Sequence, residues 1–194
     1  MSALTRIKQT VRALVGDLIK THNGATYTMS ESGATTLLTL PELNSVGIVS
    51  VTKTTAGVTT TLNSSTYSLS GNSLTITTTL LEDDILIVKF TYYPMYSEND
   101  LKEYIRASLS HISISNINNF TIDDVDTDEI SPYPNEKEES LIALVTGIII
   151  KPLLSSYKTS IMSVNYPEKK SKDDKIDDVI FKFKHNTSGV WSVN

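Results

Sequence analysis

Residues 85–100 read ILIVKFTYYPMYSEND, and this stretch decides the fold of the chain. Its first eight residues predict the strongest strand, because most are β-branched or aromatic. Apolar residues occupy both faces toward its start, which predicts a central position in a sheet. Pro94 ends the strand, and Ser97 with Asp100 has the form of a helix capping box. A β region therefore gives way abruptly to a helical region.

The region before this junction, residues 25–94, is rich in Thr and Ser and has few charges. Turn signals divide it into runs of strand length. Val46–Lys53 and Val58–Leu62 predict one hairpin across Ala56-Gly57. Tyr67–Leu69 and Leu74–Thr79 predict a second across Gly71-Asn72.

An amphipathic helix is predicted before the β region. Its apolar stripe has three- and four-residue spacing and comprises Leu4, Ile7, Val11, Leu14 and Leu18. Ser2 is the expected cap, and His22-Asn23-Gly24 the expected stop. The stripe either packs on the protein's own core or docks on a neighbouring subunit.

The region after the junction is predicted to be mainly helical. Residues 121–139 are expected to form a long acidic loop, and Asn135, toward its end, is expected to cap the next helix with Glu138 in the box position. That helix includes the apolar run Leu141–Ile150, which predicts the core of the helical part. Pro152 should kink or end it, with the chain continuing helically toward Met162.

A last amphipathic helix, capped by Ser171, contains Ile176, Val179, Ile180 and Phe183. Val190 and Trp191 follow it in a short apolar tail. The tail either folds back onto its own subunit or inserts into a partner, and tryptophan's enrichment at interface hot spots favours the partner.

The predicted fold class is thus α+β: a small bundle of about four helices with an inserted antiparallel β-sandwich or barrel. Residues 1–23 form the first helix of the helical domain, residues 24–95 the inserted β domain, and residues 96–194 the rest of the helical domain with its tail.

Composition excludes several functional classes. The formal net charge of −5 argues against a general nucleic-acid binder. The absence of cysteine removes disulfides, thiolate metal sites and thiol nucleophiles. Residues 1–20 lack the pattern of a signal peptide, and the apolar run 141–154 is too short for a membrane span.

No catalytic, cofactor-binding or metal-binding residue is predicted. The histidines at positions 22, 111 and 185 lie in different elements, and no nucleophile elbow, phosphate loop or dinucleotide fingerprint occurs. The run Asp124–Asp128 begins like a calcium loop, but Glu129 stands where the turn glycine belongs and Asn135 where the bidentate glutamate belongs. A solvated acidic loop is expected, and an enzyme is not.

Two parts of the sequence resemble phage virion proteins. The segments YSENDLKEYIR (96–106), ISPYP (130–134) and EESLIAL (138–144) are similar to the head–tail connector, or adaptor, proteins of tailed bacteriophages. The segments NSSTYSLSGNSLTI (63–76) and DILIV (84–88) resemble β modules found in phage virion proteins.

The resemblance implies a structural virion protein at the neck between head and tail. Adaptors of this family form a ring, commonly of twelve copies, between the portal and the next tail component, and DNA passes through the channel without specific binding. The implied partners are further copies of the chain, the portal protein and a tail or neck protein, with tail fibres as a further partner for the β domain. Another phage tail or tail-fibre attachment protein is the second hypothesis.

Overall fold

The computed structural model describes residues 1–123, 129–166 and 169–185, and these form an α+β structure with antiparallel sheets. The helices in the described ranges are α1 (Ala3–Val15), α2 (Glu98–Ile114), α3 (Glu136–Ile150) and α4 (Lys172–His185). The strands are β1 (Lys20–Thr28), β2 (Thr36–Thr39), β3 (Ser45–Thr55), β4 (Val58–Thr61), β5 (Tyr67–Ser70), β6 (Ser73–Ile76), β7 (Ile85–Tyr92), β8 (Thr121–Asp123), β9 (Glu129–Ser131), β10 (Ser156–Lys158) and β11 (Ser163–Asn165).

The chain divides into two compact units. The β unit is Leu18–Ser97, and the helical unit combines Met1–Asp17 with the chain from Glu98 onward. The β unit therefore begins six residues before the predicted range 24–95 and ends two residues after it.

The β unit contains two antiparallel sheets, a four-stranded one of order β1-β7-β3-β4 and a three-stranded one of order β2-β6-β5. Strand β7 is central in the larger sheet, as predicted. Its side chains Leu86, Val88 and Phe90 are buried in a cluster that also contains Leu38, Leu74 and Ile76 from the smaller sheet. Neither sheet closes on itself, so the barrel form is not adopted.

Both predicted hairpins are confirmed. Strands β3 and β4 pair across Ala56 and Gly57, whose φ angles of 46° and 82° suit a two-residue turn between twisted strands. Strands β5 and β6 pair across Gly71 and Asn72. Because β1 also pairs with β7, Lys20 lies opposite Tyr92, and the two ends of the β unit are close together.

The core of the helical unit is α3, in agreement with its apolar sequence. Every residue from Leu141 to Val145, and also Ile148, is fully buried. The predicted capping box is present: the Asn135 side chain accepts from the backbone N–H of Glu138, and the Glu138 carboxylate accepts from the Asn135 N–H. The predicted caps Ser2 on α1 and Ser171 on α4 are also confirmed.

The predicted end of the first helix at His22-Asn23-Gly24 is wrong. Helix α1 ends at Val15, because Gly16 adopts a left-handed φ of 71° and the N–H of Asp17 bonds back to the Arg12 carbonyl. His22 and its neighbours lie in β1, where they pair with β7. Leu18, assigned to the apolar stripe, is 62% exposed.

Two further expectations are corrected. The chain does not continue as a helix from Pro152 toward Met162, because β10 and β11 form a hairpin that buries Tyr157 and Val164. The region 121–139 is not only a loop, because Ile122 of β8 pairs with Ile130 of β9 and Ile130 is buried.

The acidic run Asp124–Asp128 and the tail with Val190 and Trp191 lie outside the described residues. The calcium-loop comparison and the two roles considered for the tail therefore stay predictions.

Candidate functional site

The histidines occupy three separate environments. The His22 ring stacks on Phe90 in the β unit, with ring centroids 4.8 Å apart. His111 lies in α2, and His185 ends α4, where its ring stacks on Phe181 at 4.1 Å. Among the residues that the structure describes, no group of three or more His, Asp or Glu side chains could hold a metal ion. The candidate sites are therefore surfaces and charge clusters.

A buried ion-pair cluster lies in the helical unit, and we call Arg12, Lys8, Asp17 and Glu98 the Arg12 cluster. Arg12 is 3% exposed and pairs with the fully buried Asp17. Its other nitrogen donates to Glu98 at 2.8 Å, and the Lys8 ammonium lies 3.0 Å from the same carboxylate. Asp17 and Glu98 immediately flank the β unit in the sequence, so Arg12 joins the two points where the chain leaves and re-enters the helical unit.

The Glu98 carboxylate is held in its charged form by this cluster. Burial raises the pKa of Glu98, but hydrogen bonds from Arg12 and Lys8 outweigh burial, so the pKa lies below its usual value.

A second buried cation, Lys175 of α4, fixes the chain that follows α3. Lys175 is 3% exposed, and its ammonium donates to the carbonyl oxygens of Pro152 at 2.6 Å and Leu154 at 2.8 Å. It also lies 5.7 Å and 5.2 Å from the ring centroids of Tyr157 and Tyr166. Burial raises the pKa of Tyr157 to about 12, and its hydroxyl donates to the Lys151 carbonyl.

These contacts hold residues 151–155, which we call the Leu153 loop. Leu153 itself is 97% exposed, although the carbonyl groups before and after it both accept from Lys175. Because the backbone of this loop is already held in place, the loop would lose little conformational entropy on binding a partner. This favours the exposed Leu153 as a contact residue.

The α2–β8 groove is a concavity of about 530 Å³ in the helical unit. Its lining includes the buried side chains Leu109 and Phe120, with Ile114, Ile122 and Arg106 also contributing. Ile114 is 80% exposed. Ser110, Ser113, Asn119 and Thr121 also line it, so the groove offers a mixed surface of apolar and polar side chains with one basic residue.

The outward face of the four-stranded sheet is nearly uncharged. Two rows cross all four strands in register, each with the composition Thr–Ile–Thr–Thr: Thr26, Ile87, Thr52 and Thr61 in one, and Thr28, Ile85, Thr54 and Thr59 in the other. Gly24, at the bulge in β1, approaches this face so closely that an added Cβ would lie 2.9 Å from Ile87. This face therefore presents mainly methyl and hydroxyl groups, with Ile85 39% and Ile87 36% exposed.

Comparison with protein-family models and with curated proteins gives no match for the chain. No helix of the described residues combines the length and apolarity needed to cross a membrane.

Sequence reasoning did not identify Arg12, Lys175 or Leu153 as notable. In the sequence, Arg12 and Lys175 look like the exposed charged residues of any amphipathic helix. Only their tertiary contacts show that they are buried. Leu153 had a local signal, because it follows a proline that ends a helix.

Proposed function

We propose that this protein is a structural, non-catalytic component of a phage virion: a head-to-tail adaptor that forms a ring between the portal and the next tail component. The β unit is proposed to be a two-sheet sandwich inserted as a module into the helical unit. The observation that carries the proposal is this two-unit organisation together with the adaptor-like sequence of the helical unit.

The adaptor-like segments belong to one packed part of the helical unit. They lie on α2, on the residues before α3 and on the first half of α3. Helices α2 and α3 pack together, and Thr146 and Ser108 form a buried hydroxyl–hydroxyl contact of 3.0 Å between them. The resemblance therefore concerns a spatial unit, which supports a common architecture more strongly than scattered local matches would.

The charge of the chain is compatible with a DNA channel. With a formal net charge of −5 it lacks the cationic excess that binds phosphates, so packaged DNA would slide past the ring without adhering.

The test uses the full-length chain. We expect purified protein to form ring-sized species, visible in mass measurements and low-resolution images, and to attach to heads that carry the portal. Heads without a portal are the control. A chain that forms no ring and does not attach to portal-bearing heads contradicts the proposal.

A tail or tail-fibre attachment protein is the second candidate, favoured by the nearly uncharged Thr–Ile face of the β unit. In that case we expect a small oligomer in place of a ring, and binding to tail or fibre proteins that is weakened by Ile87→Lys on that face.

A further inference from the structure

We propose that Asn23-Gly24 is a self-modification site, at which the Asn23 carboxamide is converted into a carboxylate with His22 acting as the general base. The inference concerns the β unit alone and is independent of the proposed adaptor function. Asn23-Gly24 is the one Asn–Gly pair in the sequence. In such a pair the amide nitrogen that follows asparagine is poorly shielded, because glycine has no side chain. This nitrogen can therefore attack the neighbouring carboxamide.

The pair forms the bulge in β1. Strand β7 places one residue, Lys89, opposite the two residues Asn23 and Gly24. A bulge leaves an extra residue out of the strand ladder. The Gly24 N–H donates instead to a side chain of its own strand, the Nδ1 atom of His22, at 3.3 Å.

Packing accounts for the glycine of this pair but not for the asparagine. Gly24 has a φ of 153°, and an added Cβ would lie 2.9 Å from Ile87. Asn23 is exposed, and its carboxamide has no hydrogen-bond partner among the residues that the structure describes. Asparagine is also disfavoured in strands. The carboxamide is therefore free to rotate toward the Gly24 nitrogen and is open to water.

His22 is held in the orientation that a general base needs. Its ring stacks on Phe90, with the centroids 4.8 Å apart and the planes inclined by 8°. Because Nδ1 accepts from the Gly24 N–H, the proton of the neutral imidazole is on Nε2, and the Nδ1 lone pair points at the nitrogen that reacts. A general base must be in hydrogen-bonding contact with the group whose proton it removes, and His22 meets this requirement.

The reaction needs water and no other co-reactant. As the Gly24 nitrogen attacks the carbonyl carbon of the Asn23 side chain, a nitrogen–carbon bond forms and closes a succinimide ring. His22 takes the amide proton and passes it to the side-chain nitrogen, which leaves as ammonia when its bond to the carbonyl carbon breaks. Water then opens the ring at either carbonyl and gives aspartate or isoaspartate. Each conversion adds a negative charge to β1, an edge strand of its sheet.

The test is a long incubation of the full-length chain near neutral pH, followed by peptide mapping and isoaspartate-specific methylation. We expect conversion of Asn23 in the wild type. His22→Phe keeps a ring that can stack on Phe90 but has no basic nitrogen, and it should slow the conversion at least about tenfold. His22→Gln, which also lacks a base, is the second variant, and circular dichroism checks that both are folded.

Two controls separate the effect of the fold from that of the local sequence. In concentrated urea the wild type and both variants should convert Asn23 at the same rate, because the contact between the ring and the amide is lost. Asn72, followed by Ser73 in the turn between β5 and β6, is the internal reference, and its rate should be the same in all three folded chains. Asn23→Gln should remove the reaction, because its longer side chain closes a ring much less readily.

Two results would overturn the inference. The first is a folded His22→Phe or His22→Gln protein that converts Asn23 at the wild-type rate. The second is a folded wild type that converts Asn23 no faster than Asn72. The second comparison needs no variant, so it decides the question even if neither substitution folds.

Discussion

At the level of single residues, Arg12 neutralises two carboxylates from different parts of the chain: Asp17, just after α1, and Glu98, at the start of α2. Removing one partner of a buried ion pair leaves an uncompensated charge in a medium of low polarity. We therefore expect Arg12→Ala to lower the free energy of unfolding by about 3–5 kcal/mol in urea denaturation. Lys172→Ala is the control, since the pair that Lys172 forms with Asp173 is exposed, and it should change stability by less than about 0.5 kcal/mol.

Asp84 gives a residue-scale prediction of pH dependence. The backbone N–H of Leu81 and the hydroxyl of Thr55 donate to its carboxylate, and with Lys53 nearby they hold the pKa of Asp84 below its usual value. A pKa lowered by folding contributes stability above the unfolded pKa, and this contribution is lost as pH falls from about 4 downward. Asp84→Asn should lose about 1.5–3 kcal/mol at neutral pH and show a smaller further loss in acid than the wild type. Urea denaturation at neutral and acidic pH measures both; equal acid losses in the two proteins would contradict the assignment.

At the level of elements, α3 is predicted to tolerate no charge on its buried positions. Leu144→Asp would place an unpaired carboxylate in the core, and we expect insoluble or unfolded protein in circular dichroism and solubility assays. Leu153→Asp makes the same chemical change three residues beyond the end of the same helix, at a 97% exposed position, and should melt like the wild type. A soluble Leu144→Asp protein of normal stability would mean that this face of α3 is not a core.

The elements that sequence predicts well are those whose signals are local. The Asn135–Glu138 capping box and the turns at Gly57 and Gly71 depend on neighbouring residues only, and all three are found in the expected places. The apolar periodicity predicts too long a first helix, because Leu18 continues the pattern beyond Gly16, where the backbone turns left-handed. Strand β1 could not be placed, since its first residues become a strand only through pairing with β7.

The Lys175 contacts and the α2–β8 groove are not predictable from the sequence, because both depend on contacts between residues that are distant in the chain. Lys175 is buried because carbonyl oxygens and aromatic rings from residues 9 to 23 positions away surround its ammonium, an arrangement that no local pattern encodes. The α2–β8 groove likewise exists only because a hairpin that was expected to be a loop forms beside α2.

At the level of the whole molecule, the β unit should fold by itself, because its two sheets share one buried cluster and its ends are adjacent. We expect residues 18–97 to give a β-type circular dichroism spectrum and a cooperative melt. Residues 24–94 should melt at a lower temperature, because they lack the pairs of Lys20, Thr21 and His22 with β7 and the stack of His22 on Phe90. A disordered or helical spectrum from residues 18–97 would show that the β unit depends on the helical unit.

The Arg12 cluster has a consequence for how this protein can change. One guanidinium pairs with both Asp17 and Glu98, so it holds together the two points of the helical unit between which the β unit lies in the sequence. If this pairing is sufficient to close the helical unit, we expect that a foreign domain with equally close termini could replace the β unit. In the proposed ring, such a graft would be repeated once in every copy, and the ring would then display the grafted domain multivalently.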